Sequence, residues 1–338
     1  RIDGFNTSDS FVLESNNFPT IRQPVSMDAI EAINVDVSNY DTTITGATGA
    51  VIDAVTKSGT NEFHGSIYGV YRDSDMVGDN PTNGAPFSGF NNERTYGVTF
   101  GGPIIKDKLF FFVNYEKFER DRAAASFGPV GSGATNIVNI TSAQMEEAKQ
   151  IAQTVYGVDI GSYDAPTSIK QEVEEYAGKI DWNINDNHRL SARFSKLEQV
   201  EPVLAGSSSS SLSFNSRWYD ITKNVDTSVV QLFSDWSDNF TTEFKIGRRT
   251  YDSLSSVYSR LPQISIGFGA ANDPDLAASP YLNFGADEFR HGNQINTTTD
   301  NAFGAATLYV GDHTLKFGFD WEENDVYNLY AQNIWGSY

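Results

Sequence analysis

From about residue 61 onward the chain alternates apolar and polar positions with a period of two, as expected for strands whose two faces meet different surroundings. The plainest case sets Tyr176, Gly178, Ile180, Trp182 and Ile184 against Glu175, Ala177, Lys179, Asp181 and Asn183. The pattern recurs in Leu190, Ala192, Phe194 against Arg189, Ser191, Arg193, and in Leu315, Phe317, Phe319, Trp321 against Thr314, Lys316, Gly318, Asp320. Nine strands are predicted, near 61–72, 94–102, 109–120, 174–184, 189–197, 224–236, 240–251, 300–310 and 313–321. Directly opposed residues must share a face, which fixes hairpin register. A three-residue turn at Ser237-Asp238-Asn239 sets Phe240 opposite Trp236, Phe244 opposite Leu232 and Ile246 opposite Val230. The turn Asp186-Asn187-His188 sets Ile180 opposite Phe194, and the two-residue turn Gly311-Asp312 sets Leu308 opposite Leu315 and Ala306 opposite Phe317.

The links between strands alternate in length. Those at 103–108, 185–188, 237–239 and 311–312 are short; those at 73–93, 121–173, 198–223 and 252–299 are long. All tight turns therefore fall at one end of the sheet, as in a transmembrane β-barrel with short periplasmic turns and long extracellular loops. A soluble β-sandwich shares the period, but the length alternation and the aromatic load on the apolar face, including Trp182, Trp236 and Trp321, favour lipid.

Before these strands lies a mixed segment. Ser26 to Ile30 reads as one helical turn with Ser26 as a cap, and Ala32 to Val37 alternates as a strand able to pair with Ala50 to Val55. So few apolar residues make a poor core alone, so the segment is expected to lean on something larger. The second long link carries a helix, with Thr141 and Gln144 in capping-box spacing, apolar Ala148, Ile151, Ala152 and Val155, and Gly157 as a stop. Loop stiffening is its plainer role and ligand gating the bolder one. Ser207 to Ser211 reads as a flexible loop tip.

Composition narrows this picture. Aromatics reach 13%, glycines number 28, and no apolar run approaches the roughly 20 residues of a spanning helix. Cysteine is absent, and the net charge of −20 argues against a nucleic-acid partner. The chain opens at Arg1 and is expected to be a piece of a longer protein. Candidate chemistry fails on inspection. Asp181-x-Asn183-x-Asn185 begins like a calcium loop, yet Asp186 stands where the turn needs glycine and Ala192 where the closing glutamate belongs. His64, His188, His291 and His313 form no ligand pair, and no nucleophile elbow, P-loop or dinucleotide fingerprint is present. The chain is therefore not expected to be an enzyme, and catalytic, cofactor and metal residues are assigned as none.

Three segments, in order, resemble TonB-dependent outer-membrane receptors and in particular their Oar-like group: VSMDAIEAINV (25–35), GATGAVIDAVTKSGTNEFHGSIYGVYR (46–72) and FGGPIIKDKLFFFVNYEKF (100–118). The tail GDHTLKFGFDWEENDVYNLY (311–330) is also similar. The resemblance implies an all-β membrane protein: a partial antiparallel transmembrane β-barrel, nine strands of about 22, with a small α+β plug segment. Residues 1–58 would be the C-terminal part of the plug and 59–338 the N-terminal part of the barrel. It implies an energy-coupled transporter in the outer membrane of a Gram-negative bacterium that binds and imports an extracellular solute, peptide or protein of unknown identity. The energising partner would be a TonB-type protein engaging an upstream segment. The alternative is a surface adhesion or assembly protein with little transport. Substrate-binding residues stay unknown, the plug-side candidates being Ser8 to Phe18 and Tyr40 to Thr45. Ser58 to Glu62 would be the hinge, with Gly59 turning the chain. Phe63 to Arg72 would be the first barrel strand, with Phe63, Ile67 and Tyr71 outward and Gly65 and Gly69 keeping it slim beside the plug.

Overall fold

A computed structural model describes residues 1–8, 16, 18–37, 44, 49–163, 166, 168–269 and 279–338. An N-terminal unit holds strands β1 (Ile30–Asp36) and β2 (Val51–Thr56), paired antiparallel with Ala32 opposite Val55. The turn before β1 is a 3-10 turn, Met27–Ala29, and Ser26 does not cap it through its side chain. The Ser26 hydroxyl is engaged elsewhere, 2.7 Å from the Tyr68 hydroxyl.

Strands β3 (His64–Asp73), β4 (Asn92–Ile105) and β5 (Leu109–Ala123) follow. Then come β6 (Phe127–Val130), β7 (Asn136–Thr141), helix α1 (Ser142–Val155), β8 (Ser168–Asn185), β9 (His188–Val203) and β10 (Ser211–Ser213). The last six strands are β11 (Tyr219–Ser237), β12 (Phe240–Val257), β13 (Ile264–Gly267), β14 (Tyr281–Phe284), β15 (Gly292–Val310) and β16 (His313–Ala331). Nine of these form one meander in the order β3-β4-β5-β8-β9-β11-β12-β15-β16, the number and order the alternation predicts. The sheet is part of a barrel and does not close on itself.

Register follows the sequence in two hairpins and departs from it in one. Leu308 lies opposite Leu315 and Leu232 opposite Phe244 as expected, although Phe240 faces Ser237 because a bulge at Trp236 takes up the extra residue. In the β8–β9 hairpin Ile180 pairs with Ala192, and Phe194 with Gly178. There the chain turns on Asp186-Asn187 alone, with a bulge beyond Asn183, which shifts the register by two residues and leaves every side chain on its expected face.

Most strands outrun their predicted ends towards the long links; β8 begins at Ser168 and β9 runs to Val203. Towards those ends the outward positions are charged, with ion pairs Lys117–Glu174 at 2.9 Å, Lys170–Glu119 at 2.8 Å and Lys196–Glu198 at 2.6 Å. The backbone ladder continues where the apolar alternation stops.

Gly59 serves by close approach, not as a left-handed turn: a Cβ there would sit 2.3 Å from the Phe111 carbonyl oxygen. Gly65 and Gly69 share a face with Ile67, which is 89% exposed, while Tyr68 on the other face meets Ser26 of the N-terminal unit. Those glycines thus lie on the outer side, and the expected thinning beside the plug is not their role.

Candidate functional site: the inner face and the loop cap

The two faces of the sheet invert the usual order of burial. Trp182, Phe194, Ile246 and Phe317 on one face are exposed, whereas Glu175, Arg193, Gln199 and Lys223 on the other are buried. A sandwich in water would bury its aromatic face. An exposed aromatic face is stable only against lipid, and buried charges need partners.

The N-terminal unit supplies many of the partners on this face. Asp3, itself bound by the Thr56 amide at 2.9 Å and hydroxyl at 2.7 Å, faces the Arg193 guanidinium of β9 at 3.1 Å. Lys179 of β8 donates to the Thr56 carbonyl at 3.1 Å, and Gln231 of β11 to the Asp3 carbonyl at 3.2 Å. From β12, Lys245 donates to Gly4 O at 3.0 Å and Arg249 to Ser8 O at 2.8 Å. The Ile21 amide donates to Gln199 at 2.9 Å, and Arg22 reaches Thr95 at 3.0 Å and Glu116 at 3.4 Å while stacking on Phe118. The contacts thus span β4, β5, β8, β9, β11 and β12. A smaller apolar cluster joins Ile2, Val25, Ala29 and Ala54 to Phe112 of the wall.

At the long-link end, three links fold together into a cap. β10 runs parallel to β14, which pairs antiparallel with β13. Val138, Ile140, Met145, Ala152, Ile160, Leu212, Phe214, Leu282 and Phe284 form one buried core contributed by all three links. The Ser216 hydroxyl donates to Ile160 O at 2.6 Å and accepts from the Gly285 amide at 3.0 Å, so one side chain joins the three. Arg217 meets Asp287 at 3.2 Å; burial lowers the affinity of its guanidinium for the proton and Asp287 opposes that. At the seam between wall and cap, burial and a 2.9 Å hydrogen bond to Asp220 push the Tyr258 hydroxyl up to about 12.

Helix α1 carries the expected capping box, Thr141 accepting from the Gln144 amide at 3.2 Å, and Gly157 adopts the left-handed conformation that ends it. Its buried face differs from expectation. Met145 and Ala152 are buried and Ala148 packs against them, while Ile151 and Val155 are exposed. The serine run is no free tip, since Ser211–Ser213 is a cap strand with Leu212 fully buried. Of the candidate contact loops, Ser8 binds Arg249 through its carbonyl, and Asn16 accepts from the Phe18 amide at 2.9 Å. Residues 9–15, 17, 40–43 and 45 of those loops lie outside the described residues. Asp181 and Asn183 lie within β8, with Asn183 donating to Asp107 O at 3.2 Å. Among the described residues no group of three or more His, Asp or Glu side chains could hold a metal ion.

The lipid-facing aromatic wall, polar inner face and one-ended turns coincide with a match of residues 55–338 to the family described as outer membrane beta barrel domain. The chain belongs to that family. It is a Gram-negative outer-membrane β-barrel chain. It is similar to the TonB-dependent transporter Oar of Myxococcus xanthus, 28% identical over 200 residues, covering 56% of this chain and 17% of the relative. Among solved structures it resembles the outer membrane transporter YddB of Escherichia coli, with TM-score 0.60 and 12% identity, covering 96% of this chain and 40% of that one. The outer-membrane barrel chain thus spans well under half the length of either.

Proposed function

We propose that the full-length protein is an energy-coupled outer-membrane receptor and transporter, with residues 1–58 acting as part of a plug and residues 59–338 as part of the barrel. The observation that carries this reading is the seating of the N-terminal unit on six strands of the polar inner face through charged and polar contacts. A barrel of about 22 strands without a plug would be an aqueous channel. Such contacts exchange for water at modest net cost, so a pulled plug can rearrange without exposing a large apolar surface. The likeness to an Oar transporter supports a TonB-type protein as the energising partner. Solute binds at the loop cap and plug apex and is then imported, with no enzymatic step. Uptake in cells lacking the receptor or its energising partner tests this: uptake should fall for the transported solute, and unchanged uptake of every solute tried would oppose it.

The cap's own apolar core favours a second reading, in which rigid loops bind a protein or matrix polymer at the surface and little is translocated. Binding that persists without the proton gradient, with no accumulation inside the cell, would select it.

A further inference from the structure

Under the cap, at the extracellular end of the inner face, lies a cavity of about 490 Å3. Its wall includes Arg122, Ile169 and Val203 from strand ends and Phe127, Tyr163 and Trp218 from the links. Arg122 pairs across the ladder with Ile169, and it shares strand parity with Arg120, Phe118 and Glu116, so it stands on the inner face. Arg120, two residues earlier, is bound by Glu93 at 2.5 Å, as Lys170 on the outer face is bound by Glu119. Arg122 alone of these makes no hydrogen bond or ion pair among the described residues, in a chain with 44 acidic side chains to offer. The Trp218 indole N–H likewise has no acceptor among the described residues.

A guanidinium without a partner among the described residues, at the rim of a half-buried aromatic cavity, is matched by a planar anion on an apolar body. The guanidinium fork fits a carboxylate in bidentate geometry, and aromatic walls with a few polar groups are the usual lining of a small-molecule site. We propose that this cavity is a recognition subsite for an apolar or aromatic carboxylate, Arg122 holding the carboxylate and Phe127, Tyr163 and Trp218 enclosing the body. The subsite rests on the receptor reading, since it places solute recognition between the cap and the inner wall.

The test uses the full-length protein in lipid nanodiscs and calorimetric titration with two probe pairs: N-acetyl-Leu-Leu-Phe and its C-terminal amide, and 3-phenylpropionate and its amide. At least one acid should bind roughly tenfold or more tighter than its amide, the value of a charge-assisted pair. Arg122→Gln should abolish that preference and Arg122→Lys should retain part of it. Binding of the peptide acid alone assigns a peptide C-terminus, and binding of both acids assigns the carboxylate class. The proposal is overturned if acid and amide bind alike, if neither acid binds at millimolar concentration, or if Arg122→Gln keeps the preference. Binding in nanodiscs needs no energising partner. Failure of transport would therefore leave the subsite standing, and wild-type uptake of a carboxylate solute by Arg122→Gln would remove the subsite alone.

Discussion

The N-terminal unit and the loop cap are both small assemblies that lean on the same sheet, yet they are held in opposite ways. The cap is a miniature globular core, with nine buried apolar side chains among the described residues shared by three links. The N-terminal unit is bound to the wall mainly by ions and amides: Asp3 to Arg193, Lys179 to Thr56, Lys245 to Gly4 and Arg249 to Ser8. Apolar burial is lost whenever the surfaces part, because water cannot replace it. Polar contacts can be exchanged for water, provided water can enter. On the proposed function, the cap is the assembly that stays closed and the inner interface the one that opens.

The largest expected effect breaks the polar side of this contrast. Asp3→Ala leaves Arg193 buried without its counter-charge, a loss of about 3–5 kcal/mol for a buried pair. Its sign is earlier release of the N-terminal unit in urea, followed by proteolysis within residues 1–57. Replacing both partners, Asp3→Leu with Arg193→Met, should recover much of that stability. On the apolar side, Ile140→Ala or Leu212→Ala should cost about 2–5 kcal/mol by leaving a cavity. Hydrogen exchange should then rise across all three links together, with no change at Asp3.

Two further substitutions separate lipid contact from both assemblies. Ile180→Arg on the exposed face should destabilise insertion into bilayers by about 2–4 kcal/mol, read as a lower urea midpoint in vesicles. Tyr68→Phe, on the opposite face, removes the Ser26 contact and should loosen the N-terminal unit without impairing insertion. Thr141→Ala should cost about 1 kcal/mol of α1 through the lost cap, visible as faster exchange in that helix only. The smallest effect lies at the seam. Because the folded Tyr258 hydroxyl is raised from 10.0 to about 12, its stabilising share is complete below about pH 10 and is lost as pH rises through 12. The phenolate absorbance that Tyr258→Phe removes should therefore appear late in an alkaline titration.

How far the fold was legible follows from the same contrast. Period-two alternation places side chains on faces without reference to any distant residue, so the nine strands and their order were readable from Trp182, Phe194 or Phe317 and their neighbours. The strand ends were not, because outward Lys170, Glu172 and Glu198, beyond the expected ends, break the apolar alternation while the backbone ladder runs on. The cap strands are three or four residues long and find partners across the links, Leu212 beside Leu282 for instance, which no local pattern records. The inner-face contacts join residues such as Asp3 and Arg193, and parity could say that Arg193 faces inward but not what meets it. Arg122 was invisible for the same reason, since its distinction is the lack of a partner among the described residues.

On the proposed function, the N-terminal unit closes the lumen by a polar, reversible interface. Single-channel conductance of the full-length protein in planar bilayers tests it most directly, comparing wild type, Asp3→Ala and a variant lacking residues 1–57. Wild type should be nearly silent, Asp3→Ala should open in urea at a lower concentration than wild type, and the deletion should conduct continuously. A deletion variant as silent as wild type, inserted in the same bilayers, would contradict the account.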